Sequence, residues 1–368
     1  MMDFINRKRN RLFAATVALS LLGGVCGITT ENAAKAKKST IDRVTISCAG
    51  DCTIGTDPKF SPYTNFTSVM NAVKDKAYFF KNVQRYFAKD DMTLVNFEGT
   101  LTSRMTRAPK TFTFKGPASY VKILTKGNIE AVAFANNHCR DFGQGSYTDT
   151  IRTFKKAGVK YSSYTKTCSY RVKKKKTGTK IRIGMISVNG LESYFAATAQ
   201  IKSGIKRLKK EKKCDLIVVS MHAGIERQYY PTSTQKNLAR YAIRSGAHLV
   251  LGHHPHVLQG VEKYRGAYIV YSLGNFCFGG NSNPSDKDTM IARPTFVFKN
   301  GKLQKKKTKL KLIPCCLSST MSRNNYQPTP KKGSEKKRLL RKINGMCEAL
   351  GTTLRDKKRK MTLLCRKK

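Results

Sequence analysis

Six histidines occur in 368 residues, and three of them, His253, His254 and His256, fall within four positions. They follow the apolar run Ala247–His248–Leu249–Val250–Leu251, which reads as a buried strand. Alternate residues of an extended chain share a face, so His254 and His256 just past a strand end can direct two imidazoles at one point. Neutral imidazole is the commonest protein ligand of transition metals. An isolated H-x-H triplet is better read as a polar turn, so its company in the chain has to decide. His253 is out of phase with the pair and is expected to face elsewhere. His248, inside the apolar run, is expected to be a satisfied structural histidine.

The elements that would position these residues alternate between β and α. Strands are expected at Val44–Ala49, Met92–Phe97, Glu130–Ala135, Ile181–Val188, Leu216–Ser220, Leu249–Leu251, Val257–Glu262 and Ala267–Ser272. Helical periodicity covers Ser68–Phe87, Pro117–Lys126, Gly145–Ala157, Thr198–Lys212 and Ser233–Ser245, with Gly158 and Gly246 as stop signals. That alternation implies a largely parallel α/β core. Ligands bind beyond the carboxyl ends of the strands in open parallel sheets. Here nearly every such end carries a polar residue: Asp51, then Asn96 and Glu98, then Asn136–Asn137–His138 with Asp141, then His222, then His254 and His256, then Asn275. Two carboxylates, an Asn and three His make a mixed nitrogen and oxygen set suited to Zn, Mn or Fe rather than to Ca or Mg.

Composition narrows the setting. Seventy-one Lys and Arg stand against 22 Asp and Glu, a net charge of +49. The last 68 residues hold 22 of those cations and three acids, and further basic runs lie at Lys173–Lys176 and Lys206–Lys213. Such a surface attracts polyanions with little selectivity. Nucleic acid would come first for a cytosolic chain. The N-terminus points elsewhere: Arg7, Lys8, Arg9 and Arg11 precede the apolar run Leu12–Ile28, and Ala34–Lys35–Ala36 has the form of a cleavage site. Residues 1–36 therefore read as a signal peptide or an uncleaved membrane anchor. An exported chain at the outer face of the cytoplasmic membrane or the cell wall is expected. Anionic lipid, teichoic acid or a capsule polymer is then a better partner than nucleic acid. The 11 cysteines show no repeated C-x-x-C. Cys48, Cys52, Cys139 and Cys277 read as small apolar core residues.

Six ordered motifs carry a family resemblance. They are Ala49–Gly50–Asp51, Asn96–Phe97–Glu98–Gly99–Thr100, Ala135–Asn136–Asn137–His138, His222–Ala223–Gly224–Ile225–Glu226, Gly252–His253–His254–Pro255–His256–Val257–Leu258–Gln259–Gly260 and Ser272–Leu273–Gly274–Asn275–Phe276. Together they resemble capsule-synthesis proteins of the CapA type, a branch of the calcineurin-like metallophosphoesterase fold. The resemblance implies an αββα sandwich over residues 37–300. Beyond it the composition changes: a strand-like Lys302–Ile313, the polar segment Arg323–Pro330 and a basic helix Ser334–Leu350 read as a C-terminal extension over 301–368 that packs on the core. The resemblance also implies two divalent transition-metal ions, with Asp51 and His256 on the first, Asn137, His222 and His254 on the second, and Glu98 at or between them. His138 matches the position that protonates the leaving group, with Asp141 setting its tautomer. The usual D-x-H of the first strand is here Asp51–Cys52–Thr53, so one site is expected to be weak or absent. Lys115 is expected on the site rim, and basic surroundings there would favour an anionic substrate. The implied role is making, anchoring or trimming a polymer such as poly-γ-glutamate at the membrane surface, alongside other capsule-synthesis membrane proteins. A phosphodiesterase acting on teichoic or nucleic acid and a non-catalytic polymer scaffold are the alternatives.

Overall fold

The computed structural model describes residues 39–357 and 360–363. The expected signal or anchor, residues 1–36, lies outside the described residues. No described helix is long and apolar enough to cross a membrane.

The chain first lays down β1 (Ile41–Thr53), β2 (Met92–Phe97), β3 (Ala131–Phe134) and β4 (Lys160–Ser163), parallel neighbours in a large sheet. It then builds a second sheet from β5 (Cys168–Lys173), β6 (Lys180–Asn189), β7 (Leu216–His222), β8 (Leu249–His253), β9 (Val261–Tyr264) and β10 (Ala267–Val270), in the order β9-β10-β8-β7-β6-β5. Returning to the large sheet, β11 (Asn275–Phe278) pairs parallel with β1, and β12 (Asp288–Lys299) and β13 (Lys309–Cys316) extend it antiparallel. Helices α1 (Phe66–Val73), α2 (Gln84–Phe87), α3 (Val121–Lys126) and α4 (Gly143–Lys156) belong to the first half. The later helices are α5 (Tyr194–Lys210), α6 (Ser233–Ser245) and α7 (Gly333–Glu348).

Period-two alternation assigns each face. On β7, Leu216 and Val218 enter the core between the sheets, whereas Ile217, Val219 and Met221 meet α5 and α6 through Ile201, Leu208 and Leu238. On the large sheet, Val44 and Ile46 join the inter-sheet core, while Val95, Val132 and Phe134 face Phe66, Leu124 and Phe154 of the first helical layer. Helices outside each of two facing sheets make the αββα sandwich. Thr232 and Gln235 close a capping box on α6, and Gly246 at φ 115° ends it.

Two expected elements come out differently. Ser68–Phe87 is not one helix: α1 stops at Lys74, which turns left-handed at φ 56°. A single turn at Tyr78–Phe80 and α2 follow, aiming Phe80 and Phe87 at Phe276 under the large sheet. Val257–Glu262 pairs as a strand only from Val261 onward. The strand and helix expected in the C-terminal extension do form and pack on the core: β13 joins the large sheet, and α7 sends Leu339, Ile343 and Met346 into the inter-sheet core. The nine cysteines among the described residues are all free, with Cys48, Cys52, Cys139 and Cys277 buried.

A β-bulge aims the end of β1. Its register to β2 runs Ala49↔Val95 and then Asp51↔Asn96, which leaves Gly50 as an extra residue. An extra residue turns the following side chains to the opposite face. Cys48 accordingly faces the inter-sheet core and Cys52 the helical layer. A Cβ on Gly50 would overlap the carbonyl oxygen of Gly274, so only glycine fits there.

Candidate metal centre

Register brings the chemistry to one end of both sheets. Asn189, His222 and His253 lie level across β6, β7 and β8, and Asp51 and Asn96 lie level across β1 and β2. Glu98 follows β2 by one residue, and the β3 loop adds Asn136, Asn137 and His138. His254 and His256 follow β8 with φ values of 96° and 57°, left-handed backbone that ordinary residues avoid. Such strain concentrates where surrounding structure holds a functional geometry in place.

Glu98 is the centre of the cluster. It is fully buried, and neither carboxylate oxygen has a hydrogen-bond partner among the described residues. Its Oε1 lies 3.8 Å from Nε2 of His138, of His222 and of His256 alike. Burial drives its carboxyl above the ordinary range, and the neighbouring Asp51, Asp141 and Glu226 add to the effect. Asp51 is also buried, but His253 and His256 outweigh that burial and hold its carboxyl low. Its Oδ1 accepts from Asn96 Nδ2 at 2.9 Å, and Oδ2 lies 3.4 Å from His256 Nδ1. His256 Nδ1 also lies 2.8 Å from Asn275 Oδ1, which orients the ring.

His222 and Asn137 form the other side. His222 Nε2 is 2.8 Å from Asn137 Oδ1, and its ring stands 4.9 Å from that of His254. Burial lowers both imidazoles, His254 to about 4, so each is neutral and able to donate its lone pair to a cation. His254 Nδ1 has no partner among the described residues. Two groups hold their ligand atoms within 4.8 Å of one another: Asp51, Glu98 and His256, and Glu226, His254 and His256. An orphaned buried carboxylate and an orphaned imidazole nitrogen, with His222 and His254 neutral, fit a divalent transition metal, although Glu98 and Asp51 raise the His256 imidazole to about 10 against its burial.

His138 stands at the edge of this cluster. Its Nδ1 is 2.8 Å from Asp141 Oδ2, which leaves Nε2 as the nitrogen facing Glu98. Phe114 covers the ring at a centroid distance of 4.4 Å, and the Phe114 N–H donates to Asp141 at 2.5 Å.

Residues 45–280 match the family described as bacterial capsule synthesis protein PGA_cap. The chain belongs to that family. The PGA biosynthesis protein CapA of Bacillus subtilis (strain 168) is 31% identical over 263 residues, 66% of this chain and 66% of that protein. The capsule biosynthesis protein CapA of Bacillus anthracis is 27% identical over 297 residues, 74% of this chain and 70% of that protein. The chain thus spans about two thirds of the length of these relatives. A solved structure titled GAP50, the anchor in the inner membrane complex of Plasmodium, superposes with a TM-score of 0.40. It is 11% identical, covers 83% of this chain and 95% of its own, and says nothing about the site at that score.

This PGA_cap chain departs from its sequence reading at four places. His253 does not face away: its Nδ1 lies 3.2 Å from Asp51 Oδ1, because the extended end of β8 passes directly over that carboxylate. Lys115 is not on the rim. It is pinned in a short strand pair, with Nζ donating to the Arg104 carbonyl at 2.7 Å. Lys110 reaches the site instead, 2.5 Å from Asp141 Oδ1, 2.7 Å from the Asn137 carbonyl and 3.2 Å from His138 Nδ1. Lys110 sits in an irregular segment with no pattern to single it out. Glu226, inside a quoted motif but given no role, stands beside His254 and His256. The mouth of the site, a cavity of about 280 Å³, is not basic: its lining sets Arg227 against Glu226 and Asp286, with Phe60, Phe112 and Phe114 forming an aromatic wall. His248 behaves as expected, accepting the Ile217 N–H at 3.0 Å.

Proposed function

We propose that this chain is an exported protein that acts on or organises an anionic cell-surface polymer such as poly-γ-glutamate, through a dinuclear metal-hydrolase-like site. The family assignment and the names of its CapA relatives support the polymer. Glu98 carries the metal site: a buried carboxylate with no donor, ringed by three imidazole nitrogens, is costly unless a cation lies among them. Asp51, Glu98 and His256 would hold one divalent Mn, Fe or Zn ion, and Asn137, His222 and His254 the other. Thr53 stands where the wider fold has a histidine, so the first ion has fewer ligands. When bound, such a pair supplies an activated water and stabilises charge on the displaced group.

The chain's own residues would do the rest. His138 would hold a proton at Nε2 for the leaving group in its imidazolium form, which Asp141 stabilises by accepting the Nδ1 proton. Lys110 pairs with the second oxygen of Asp141 and so limits how strongly that carboxylate holds the Nδ1 proton. Phe114 covers one face of the His138 ring and shields it from bulk water.

Elemental analysis of the purified chain beside His254→Ala tests the reading. About two ions per chain, lost in a variant that keeps its thermal transition, is the expected result. One ion would mean a degenerate first site. No metal after reconstitution would overturn the hydrolase site and leave a polymer-binding scaffold. Full metal content in His254→Ala would show that the ligand set is wrong.

A further inference from the structure

The site occupies the carboxyl ends of the parallel strands, yet the densest lysine runs enter those strands at their amino ends. Lys173–Lys176 turn β5 into β6, Lys209–Lys213 lead into β7, and Lys305–Lys307 lead into β13. At the last of these runs lies a second cavity, of about 180 Å³, lined by Arg244, His248, Arg265, Lys305 and Thr308. No carboxylate lines it among the described residues. Arg244, Arg265, Lys305 and the adjacent Lys209 form no ion pair with a described Asp or Glu. The acids on neighbouring elements are already engaged: Glu262 by Arg240 and Tyr271, and Glu211 by Arg207. His248 accepts the Ile217 N–H at Nδ1, so its neutral ring keeps the proton on Nε2 and offers a donor.

We propose that this cavity binds carboxylate groups of an anionic polymer and so holds the polymer at the end of the fold opposite the metal-ligand cluster. Exposed cations that converge on a concave surface with no carboxylate of its own leave their charge open to an incoming anion, and the mouth of the site lacks that character. His248 and His253 bracket β8, so the two positions are separated by roughly 16 Å of strand rise. The inference rests on the reading that the partner is such a polymer.

Labelled poly-γ-glutamate, titrated into the full chain at fixed salt, tests it by fluorescence anisotropy. Pyrophosphate is titrated in parallel while the His248 imidazole signal is followed by NMR. The triple variant Arg244→Ala, Arg265→Ala, Lys305→Ala should weaken polymer binding about tenfold or more. Removing three charges from the other end, with Lys59→Ala, Arg140→Ala and Arg323→Ala, should weaken it less than about threefold. The exposed single variant Lys305→Glu serves if the triple variant does not fold. Equal weakening by both sets would overturn the site in favour of diffuse charge. A wild-type chain whose His248 signal responds to pyrophosphate but which ignores the polymer would overturn the polymer as occupant and leave the cavity standing. No response to either would overturn both.

Discussion

Glu98 shows what the site costs the fold when no cation is present. A buried carboxylate without donors loses its hydration and gains nothing in return. Glu98→Gln should therefore stabilise the metal-free chain by about 1–3 kcal/mol and remove most of the rise in melting temperature that added Mn or Zn gives the wild type. Thermal unfolding with and without metal checks both; a variant still stabilised fully by metal would place Glu98 outside the site. The residues of this cluster were readable because strand ends are readable: a polar residue ending an apolar run has few structural reasons to be there. Lys110 and His253 were not readable in the same way. Lys110 reaches Asp141 through a segment with no periodicity, and the outlook of His253 depends on how one sheet end lies over the other.

At the scale of elements, α7 is tied to the segment beside the site mouth. Arg338 and Lys342 bind Asp288, and Lys342 also binds Asp286, which lines that mouth. Burial pushes the Asp288 carboxyl up, but the two cations outweigh it and hold the group below its ordinary value. A depressed carboxyl stabilises the fold above the unfolded value of about 3.9 and loses that contribution as pH falls through the folded value. The stability gap between wild type and Arg338→Ala should therefore be about 1 kcal/mol near neutrality, discounted for the partial exposure of Arg338. It should close as pH falls below the ordinary carboxyl range and through the lowered Asp288 value; urea titrations across pH read it out, and a gap that persists in acid would assign it to packing. The alternating order of strands and helices was legible from hydrophobic period. The strand and helix of the C-terminal extension were legible too, but not that β13 completes the large sheet: Leu310 and Leu312 alternate with Lys309 and Lys311, and such alternation marks a strand without naming its neighbour.

Across the whole molecule, a net charge of +49 must repel itself. Raising ionic strength from about 0.01 M to about 0.15 M shortens the screening length from roughly 30 Å to roughly 8 Å. The melting temperature should rise by several degrees over that range, about 2–4 °C for each kcal/mol of repulsion relieved. An unchanged transition would mean that the cations are already far enough apart. The pairing of β1 with β12 has a different kind of consequence. Ile41 lies opposite Lys299, so the first strand made waits for one that arrives more than two hundred residues later, and β13 is later still. Closing loops of that length is slow. During synthesis the large sheet stays open along the β12 side of β1, an unpaired edge that closes only once β12 and β13 have emerged.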